Sequence, residues 1–157
     1  MASTQLISTE LMQEWLDQAG TEYYLCNQCD GIHLRSLQDT AGVIDSRLFL
    51  EEFGLLLTTE LELRPSAVLA VAAELGRLNM DYPTLKIFLD LVDDALPQLV
   101  VAGNLTIGSQ MTRGQFVHFV ALTVEATAHL AAACGEWEYL FVEPEAATDS
   151  PKGPLLH

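Results

Sequence analysis

Two cysteines and a histidine lie close together near the start of the chain, in the stretch YLCNQCDGIH at positions 24–33. Cys26 and Cys29 form a C-x-x-C pair, and His33 follows the second cysteine after three intervening residues. Thiolate sulfur and imidazole nitrogen are the usual ligands of zinc, and paired thiols can also form a disulfide. The stretch is therefore compatible with a metal site, a redox-active thiol pair, or a β-hairpin that has no chemistry.

The position of the turn decides among these possibilities. A turn centred on 27–28 would hold the Cα atoms of Cys26 and Cys29 within ~7 Å, which allows a disulfide or a shared metal ion. Asp30-Gly31 is the stronger turn signal, because a type I′ turn needs positive φ at both central residues and Asp-Gly tolerates it well. We therefore predict a hairpin that turns at Asp30-Gly31.

That register pairs Cys29 with Ile32 and Cys26 with Arg35. Residues an odd number apart in one strand point to opposite faces, so Cys29 would join the apolar side and Cys26 the polar side with His33. The two thiols would then be separated. A structural hairpin is accordingly our preferred interpretation, and we predict no catalytic residue, no resident metal and no cofactor.

Metal binding and redox sensing at Cys26, Cys29 and His33 stay open as alternatives. A thioredoxin-like motif places its first cysteine at a helix N-terminus, whereas the flanks here are strand-like. Zinc normally takes four ligands, and the sequence has no second C-x-x-C and no H-x-x-H to complete the set. Asp30 would be a poor substitute.

The remaining candidates for chemistry are weaker. Asp90, Asp93 and Asp94 suit a solvated turn and lack the ligand spacing of an EF-hand. His118 and His129 lie eleven residues apart on a predicted helix, so about 16 Å separates them, which is too far for one metal site. Neither a nucleophilic G-x-S-x-G nor a phosphate-binding G-x-x-x-x-G-K-[ST] motif occurs. We predict that the protein is not an enzyme.

Composition narrows the range of partners. The chain has 157 residues, and 22 acidic against 7 basic side chains give a net charge of −15. Such a surface repels nucleic-acid phosphates and anionic lipid headgroups, so we expect neither nucleic acid nor membrane as a partner. No apolar run reaches the ~20 residues that span a bilayer. The start lacks the basic region of a signal peptide, and three cysteines suit a reducing compartment, so we expect a cytoplasmic protein.

The elements that must position these residues follow from hydrophobic periodicity and helix caps. The predicted helices run from Ser8 or Thr9 to just before Gly20, which would be the C′ residue, from Pro65 to about 79, and from a Thr112–Gln115 capping box to about Cys134, where Gly135 would end the last. The predicted strands cover 23–37 (two strands), 43–50, 54–63, 85–91 and 98–107.

This order, α-β-β-β-β-α-β-β-α, indicates an α+β fold. Consecutive hairpins imply an antiparallel sheet, here of about six strands, with helices packed on its apolar face. We predict a single domain over 1–142 and an acidic, proline-containing, flexible tail over 143–157. Phe88 and Trp137 are hard to bury in such a fold, so both are candidates for an interaction surface.

Several literal stretches resemble one bacterial family. EWLDQAG, LCNQCDGIHL, RPSAVLAVAAELGRLN, LKIFLDLVDDALPQLVV and a closing leucine–histidine are similar to the YbjN family and together cover nearly the whole chain. The resemblance implies a sensory transduction regulator linked to motility, surface structures and stress response, with a fold similar to that of type III secretion chaperones. It carries over no catalytic or ligand residue.

From the residues and the resemblance together, we expect a non-enzymatic cytoplasmic regulator that acts by binding another protein. A partner with a basic patch would complement the acidic surface. The alternative is a chaperone-like binder of client segments, for which a homodimer is the expected form. A thiol or metal sensor at the C-x-x-C stretch is the third possibility.

Overall fold

The computed structural model describes residues 3–143 of the chain. The tail predicted over 143–157 lies outside the described residues, apart from Glu143. In chain order the elements are β1 (Gln5–Leu6), α1 (Thr9–Gln18), β2 (Tyr23–Leu25), β3 (Ile32–Leu34), α2 (Arg35–Gln38), β4 (Val43–Glu51), β5 (Gly54–Glu62), a 3₁₀ turn (Pro65–Ala67) that leads into α3 (Val68–Asp81), β6 (Lys86–Asp90), β7 (Gln98–Leu105), β8 (Gln110–Met111) and α4 (Arg113–Glu136).

Six of the strands form one sheet. Their order across the sheet is β2-β3-β4-β5-β7-β6, and each neighbouring pair is antiparallel. The predicted α+β class with a six-stranded antiparallel sheet is therefore confirmed. β1 and β8 form a separate two-stranded ladder, which the predicted order lacks.

The segment after β3 is helical, whereas the sequence analysis predicts strand up to position 37. Leu34 and Leu37 are both fully buried. Residues three apart lie on the same side of a helical turn, but in a strand they would point to opposite faces. Burial of both leucines in one core therefore favours the short helix α2 over a continued strand.

Local caps set three of the helix ends as predicted. Ser8 Oγ accepts a hydrogen bond from the Leu11 backbone N–H at 3.1 Å, at the start of α1. Gly20 follows this helix with φ of 71°, the left-handed conformation that glycine adopts without a Cβ penalty. Thr112 and Gln115 form the predicted capping box at the start of α4.

α4 ends at Glu136, not at the predicted stop near Gly135, which is still helical. Glu138 takes the left-handed position here, with φ of 61°. The backbone N–H groups of Tyr139 and Glu138 donate to the carbonyls of Cys134 and Gly135, which is the Schellman pattern. The helix closes on these two hydrogen bonds, so a glycine is not required.

One face of the sheet carries the hydrophobic core. Along β5 the buried residues alternate, with Leu55, Leu57, Thr59 and Leu61 fully buried, as the period of two predicts. Helix α1 and the first half of α4 cover one part of this face, while α3 and the end of α4 cover the other. α4 is long and apolar enough to span a bilayer by length and composition, but its buried residues pack in both parts of this core.

The helices α1, α3 and α4 pack on the core side of the sheet, and we call the opposite side the open face. Arg47, Phe49 and Leu56 on this face are half-buried, and Phe88 is 40% exposed. His33 lies on the open face, because it stands directly opposite Arg47 in the β3–β4 pair.

Candidate metal and thiol centre

The first hairpin differs from the predicted one. β2 and β3 pair Leu25 with Ile32, which leaves a six-residue loop over 26–31. Neither Asp30 nor Gly31 has a positive φ, so the predicted type I′ turn at this dipeptide is wrong. The strand pairings predicted for the two cysteines are wrong as well, because both cysteines lie in the loop.

Position 31 requires glycine because β4 lies very close to the loop at this point, not because the chain makes a tight turn here. A Cβ atom on Gly31 would lie 2.9 Å from Phe49 Cε1 and 3.2 Å from Arg47 Cβ. The loop therefore lies directly against β4 on the open face. Packing of the loop on the sheet prevails over the tight turn that Asp-Gly favours.

The loop brings both thiols to the ring of His33. Cys26 Sγ lies 3.2 Å from Cys29 Sγ and 3.2 Å from His33 Nε2, and Cys29 Sγ lies 3.4 Å from the same nitrogen. The prediction that the thiols are separated is therefore wrong, since the longer loop curls back and places both on the side of His33. We call these three residues the CCH cluster.

His33 is held in one orientation by its neighbours. Its ring stacks on Tyr24, the residue directly opposite on β2, with centroids 4.5 Å apart and planes inclined by 6°. His33 Nδ1 lies 2.8 Å from Asp45 Oδ1. A hydrogen on Nδ1 donates to this carboxylate, and Nε2 is directed at the two sulfurs; Nε2 can bind a metal ion only when it carries no hydrogen.

Asp45 is itself fixed in place. β4 and β5 shift register between Val43 and Asp45, and such a bulge re-aims the side chain that follows it. Asp45 Oδ1 also accepts hydrogen bonds from Gln38 Nε2 at 2.9 Å and from the Ser46 backbone N–H at 2.8 Å. Arg47 Nε lies 3.4 Å from Asp45 Oδ2. The short helix α2 thus contributes to the centre by supplying Gln38.

The cluster lowers the pKa of Cys26 from its usual value of 9.0 to about 6. The largest cause is the hydrogen bond from the Cys29 thiol, followed by the backbone N–H of Gln28 and the ring of His33. Each of these groups donates to the sulfur and so favours the thiolate over the thiol. At neutral pH Cys26 is mostly a thiolate, which is the form that binds metal ions.

His33 responds in the opposite direction. Burial lowers its pKa, but the contacts with Cys26 and Asp45 outweigh burial, and the pKa is raised above its usual value of 6.5. The Cys26 sulfur and the Asp45 carboxylate on either side of the ring both favour its protonated form. A metal ion needs the neutral ring, so its binding displaces the proton from Nε2.

The three ligand atoms are close enough together to bind one ion, since they lie within 4.8 Å of one another. In a tetrahedral zinc site such atoms are about 3.6–3.8 Å apart, so separations of 3.2–3.4 Å need to widen by only a few tenths of an ångström. Asp30, the weak substitute ligand considered from the sequence, does not belong to this group. A fourth position would be open to water or to a ligand from another molecule.

The other candidates for chemistry are not brought together with the cluster. Asp90, Asp93 and Asp94 are exposed around the turn that follows β6. His118 and His129 are both exposed on α4.

The two candidates for an interaction surface are both accessible. Phe88 is 40% exposed on the open face, and Lys86 Nζ lies 5.6 Å from the centroid of its ring. Trp137 is 48% exposed just after α4 and packs against Tyr139, with ring centroids 5.6 Å apart. Binding of a partner by either residue remains a prediction.

Sequence reasoning misses the residues that support His33, namely Tyr24, Gln38 and Asp45. The one sequence feature that could have pointed to them is the acidic Asp45 inside the mostly apolar strand VIDSRLFL. A charged residue in a half-buried strand usually has a partner, and here the partner is the histidine.

The comparisons with known proteins agree with one another. The YbjN family model, described as "Putative bacterial sensory transduction regulator", matches residues 8–136. The YbjN proteins of Escherichia coli (strain K12) and Shigella flexneri are each 37% identical over 125 residues, which are 80% of this chain and 79% of theirs. The crystal structure of YbjN from E. coli, described as "a putative transcription regulator", has a TM-score of 0.84 and 33% identity over 88% of this chain and 99% of that one. The chain therefore belongs to the YbjN family, and the CCH cluster lies inside the matched region.

Proposed function

We propose that this chain is a non-enzymatic regulatory protein that binds a zinc-class metal ion at the CCH cluster and transmits the bound state to a partner protein. One observation carries the proposal. Two thiol sulfurs and an imidazole nitrogen converge within 3.4 Å, and a carboxylate lies 2.8 Å from the far nitrogen of the same ring. Carboxylates in this position orient the histidines of metal sites.

The ligand types define the class of ion. Two thiolates and one imidazole are soft or borderline ligands, which select Zn²⁺ or Cu⁺ over Mg²⁺ and Ca²⁺. The half-buried loop leaves the site within reach of solvent, because Asn27 and Gln28 beside the cysteines are exposed. An ion can therefore enter and leave without unfolding of the domain, as a regulatory site requires.

A partner protein is the proposed reader of the site because the loop and the open face form one surface. The loop touches Phe49 through Gly31, so an ion bound in the loop changes the surface next to the open face. The net charge of −15 favours a partner with a basic patch. The family description, a sensory transduction regulator, is the role that such coupling would serve.

Metal content and cobalt substitution test the first half of the proposal. We expect one Zn²⁺ per chain, and we expect Co²⁺ in its place to give the charge-transfer absorption of a thiolate-bound ion. Zinc affinity should fall in each of the variants Cys26→Ser, Cys29→Ser and His33→Gln. The loss should exceed the roughly 10–100-fold that follows substitution of a residue that only orients a ligand.

Two matched variants control for general effects of the substitutions. Cys134→Ser removes the third cysteine, which is buried in the core, and His118→Gln removes an exposed histidine. Both should bind zinc as the unmodified protein does. Unchanged binding by the three cluster variants would place the ion elsewhere and refute the proposal.

Transmission to a partner is tested by affinity capture from a bacterial lysate with two baits, the unmodified protein and Cys26→Ser. Each bait is used with added zinc and with a chelator. We expect a protein that only the zinc-loaded, unmodified bait retains. The same set of retained proteins under all conditions would contradict transmission, even if zinc binds.

A further inference from the structure

We infer that Cys26 and Cys29 are also a modification site, at which a low-molecular-weight disulfide of the glutathione class oxidises the pair to an internal disulfide and releases the metal ion. The inference rests on the proposed function, because the released ion is the one that the CCH cluster binds. It is carried by the geometry of the pair: the two sulfurs already lie 3.2 Å apart.

Little movement separates the thiol pair from a disulfide. An S–S bond of about 2.05 Å requires the two sulfurs to approach by roughly 1.2 Å. Both cysteines lie in the loop between the last residue pair of β2 and the first of β3, where no ladder of the sheet holds the backbone. The exposed Asn27 and Gln28 lie between them, so a small oxidant can reach the sulfurs.

The reaction proceeds by two successive exchanges. The Cys26 thiolate attacks one sulfur of the small disulfide and forms a mixed disulfide, and one small thiolate leaves with the electron pair of the broken bond. The Cys29 thiolate then attacks the Cys26 sulfur, the internal S–S bond forms, and the second small thiolate leaves. The two cysteines lose two electrons, and the oxidant gains them.

The same exchange removes the ligands that hold the ion. The reactants are a Zn²⁺ ion bound by two protein thiolates and, separately, one small disulfide. The products are one protein disulfide, two small thiolates and free Zn²⁺, so charge and atoms balance. The thiolate, not the disulfide, is the metal ligand. Only His33 would remain, and a single imidazole does not retain zinc against water. A reductant restores both thiolates and therefore the site.

Cys134 provides an internal control for this selectivity. It is fully buried in the core, and burial raises its pKa to about 11. A small disulfide in solvent cannot reach it while the domain is folded, so oxidation should be confined to the loop.

The test exposes the full-length, zinc-loaded protein to oxidised glutathione. Zinc release is followed with a chromogenic chelator, and disulfides are located by peptide mass mapping without reduction. We expect one zinc ion released for every two thiols lost, a cross-link between Cys26 and Cys29, and full recovery of zinc binding after reduction. Cys134→Ser should give the same result, and circular dichroism should show a folded domain throughout.

The possible failures separate this inference from the proposed function. Zinc that stays bound, or glutathione attached to one cysteine without a cross-link, would overturn the inference and leave the metal site standing. Release of zinc only through unfolding of the oxidised chain would overturn it too. A metal-free protein that forms the cross-link but never takes up zinc would refute the proposed function, and the release step with it.

Discussion

The Cys26 sulfur shows how few groups are needed to make a reactive centre. The Cys29 thiol, the Gln28 backbone N–H and the His33 ring all donate to this one atom, and together they bring its pKa to about 6. Two of these donors are themselves ligand residues. The same contacts that favour the thiolate therefore also assemble the metal site.

In the metal-free protein the thiolate absorbance of Cys26 should rise with a midpoint near pH 6, well below the usual value of 9.0. The direction follows because each donor stabilises the charged form. His33→Gln weakens one donor and should move the midpoint upward, whereas His118→Gln, on the exposed side of α4, should leave it in place. A first thiol titration near pH 9 in the unmodified protein would contradict the contacts described for the cluster.

Asp45→Asn should lower zinc affinity by roughly 10–100-fold while all three ligands remain present, because the variant no longer offers an anionic acceptor to His33 Nδ1. Competition with a chelator of known affinity measures the change. Asp30→Asn is the matched control: it also removes one negative charge, here within the loop itself, but Asp30 is not part of the ligand group. Equal losses in the two variants would mean that general charge matters, not the orientation of His33.

At the scale of the secondary-structure elements, the sequence predicts best what neighbours along the chain decide. The start of α1 at Ser8 and the capping box of Thr112 and Gln115 depend on residues within three positions of one another. The end of α4 is less predictable, because Glu138 adopts a left-handed conformation that glycine would normally be expected to fill.

The loop of the first hairpin could not be predicted in this way, because residues far along the chain decide its path. Asp30-Gly31 favours a tight turn, but contacts of Gly31 with Arg47 and Phe49 on β4 fix the longer loop. The three ligands were identifiable from residue type and spacing. Asp45 was not, since a bulge on another strand brings it to the ring of His33.

Gly31→Ala tests this view of the loop. Its Cβ would lie 2.9 Å from the ring of Phe49, and such overpacking costs roughly 1–3 kcal/mol of the free energy of unfolding. Zinc affinity should fall as well, because the displaced loop carries both thiols. Denaturant unfolding of the metal-free protein and zinc titration measure the two effects separately.

Gly76→Ala is the control, with an effect of the opposite sign. Gly76 lies inside α3, and a Cβ there would meet nothing within 4 Å. Alanine should therefore stabilise the domain by roughly 0.4–1 kcal/mol and leave zinc affinity unchanged. If Gly31→Ala were as harmless as Gly76→Ala, the close packing of the loop on Phe49 would not matter for the site.

In the described part of the chain, α1, α3 and α4 pack on one face of the sheet and the CCH cluster lies on the other. Alternation along the strands predicts which residues enter the core, as it does for Leu55, Leu57 and Leu61. The alternation does not predict whether further elements cover the residues on the other face of the sheet. A polar, solvent-exposed face and a partly apolar face such as this one differ by only a few side chains. Phe88 is the residue that raises this question in the sequence, and it lies on the open face.

Because the cluster ties the loop after β2 to β3, and through Asp45 to β4, an ion bound there should stabilise the domain as a whole. A ligand that binds only the folded state at 100 times its dissociation constant adds about 2.7 kcal/mol, which for a domain of this size raises Tm by roughly 5–11 °C. Thermal unfolding with and without zinc should show this rise, whereas Mg²⁺, which prefers oxygen ligands, should not produce it. Cys26→Ser should unfold at the same temperature with and without zinc. A similar rise in that variant would mean that zinc acts on the acidic surface of the molecule, whose net charge is −15, and not at the cluster.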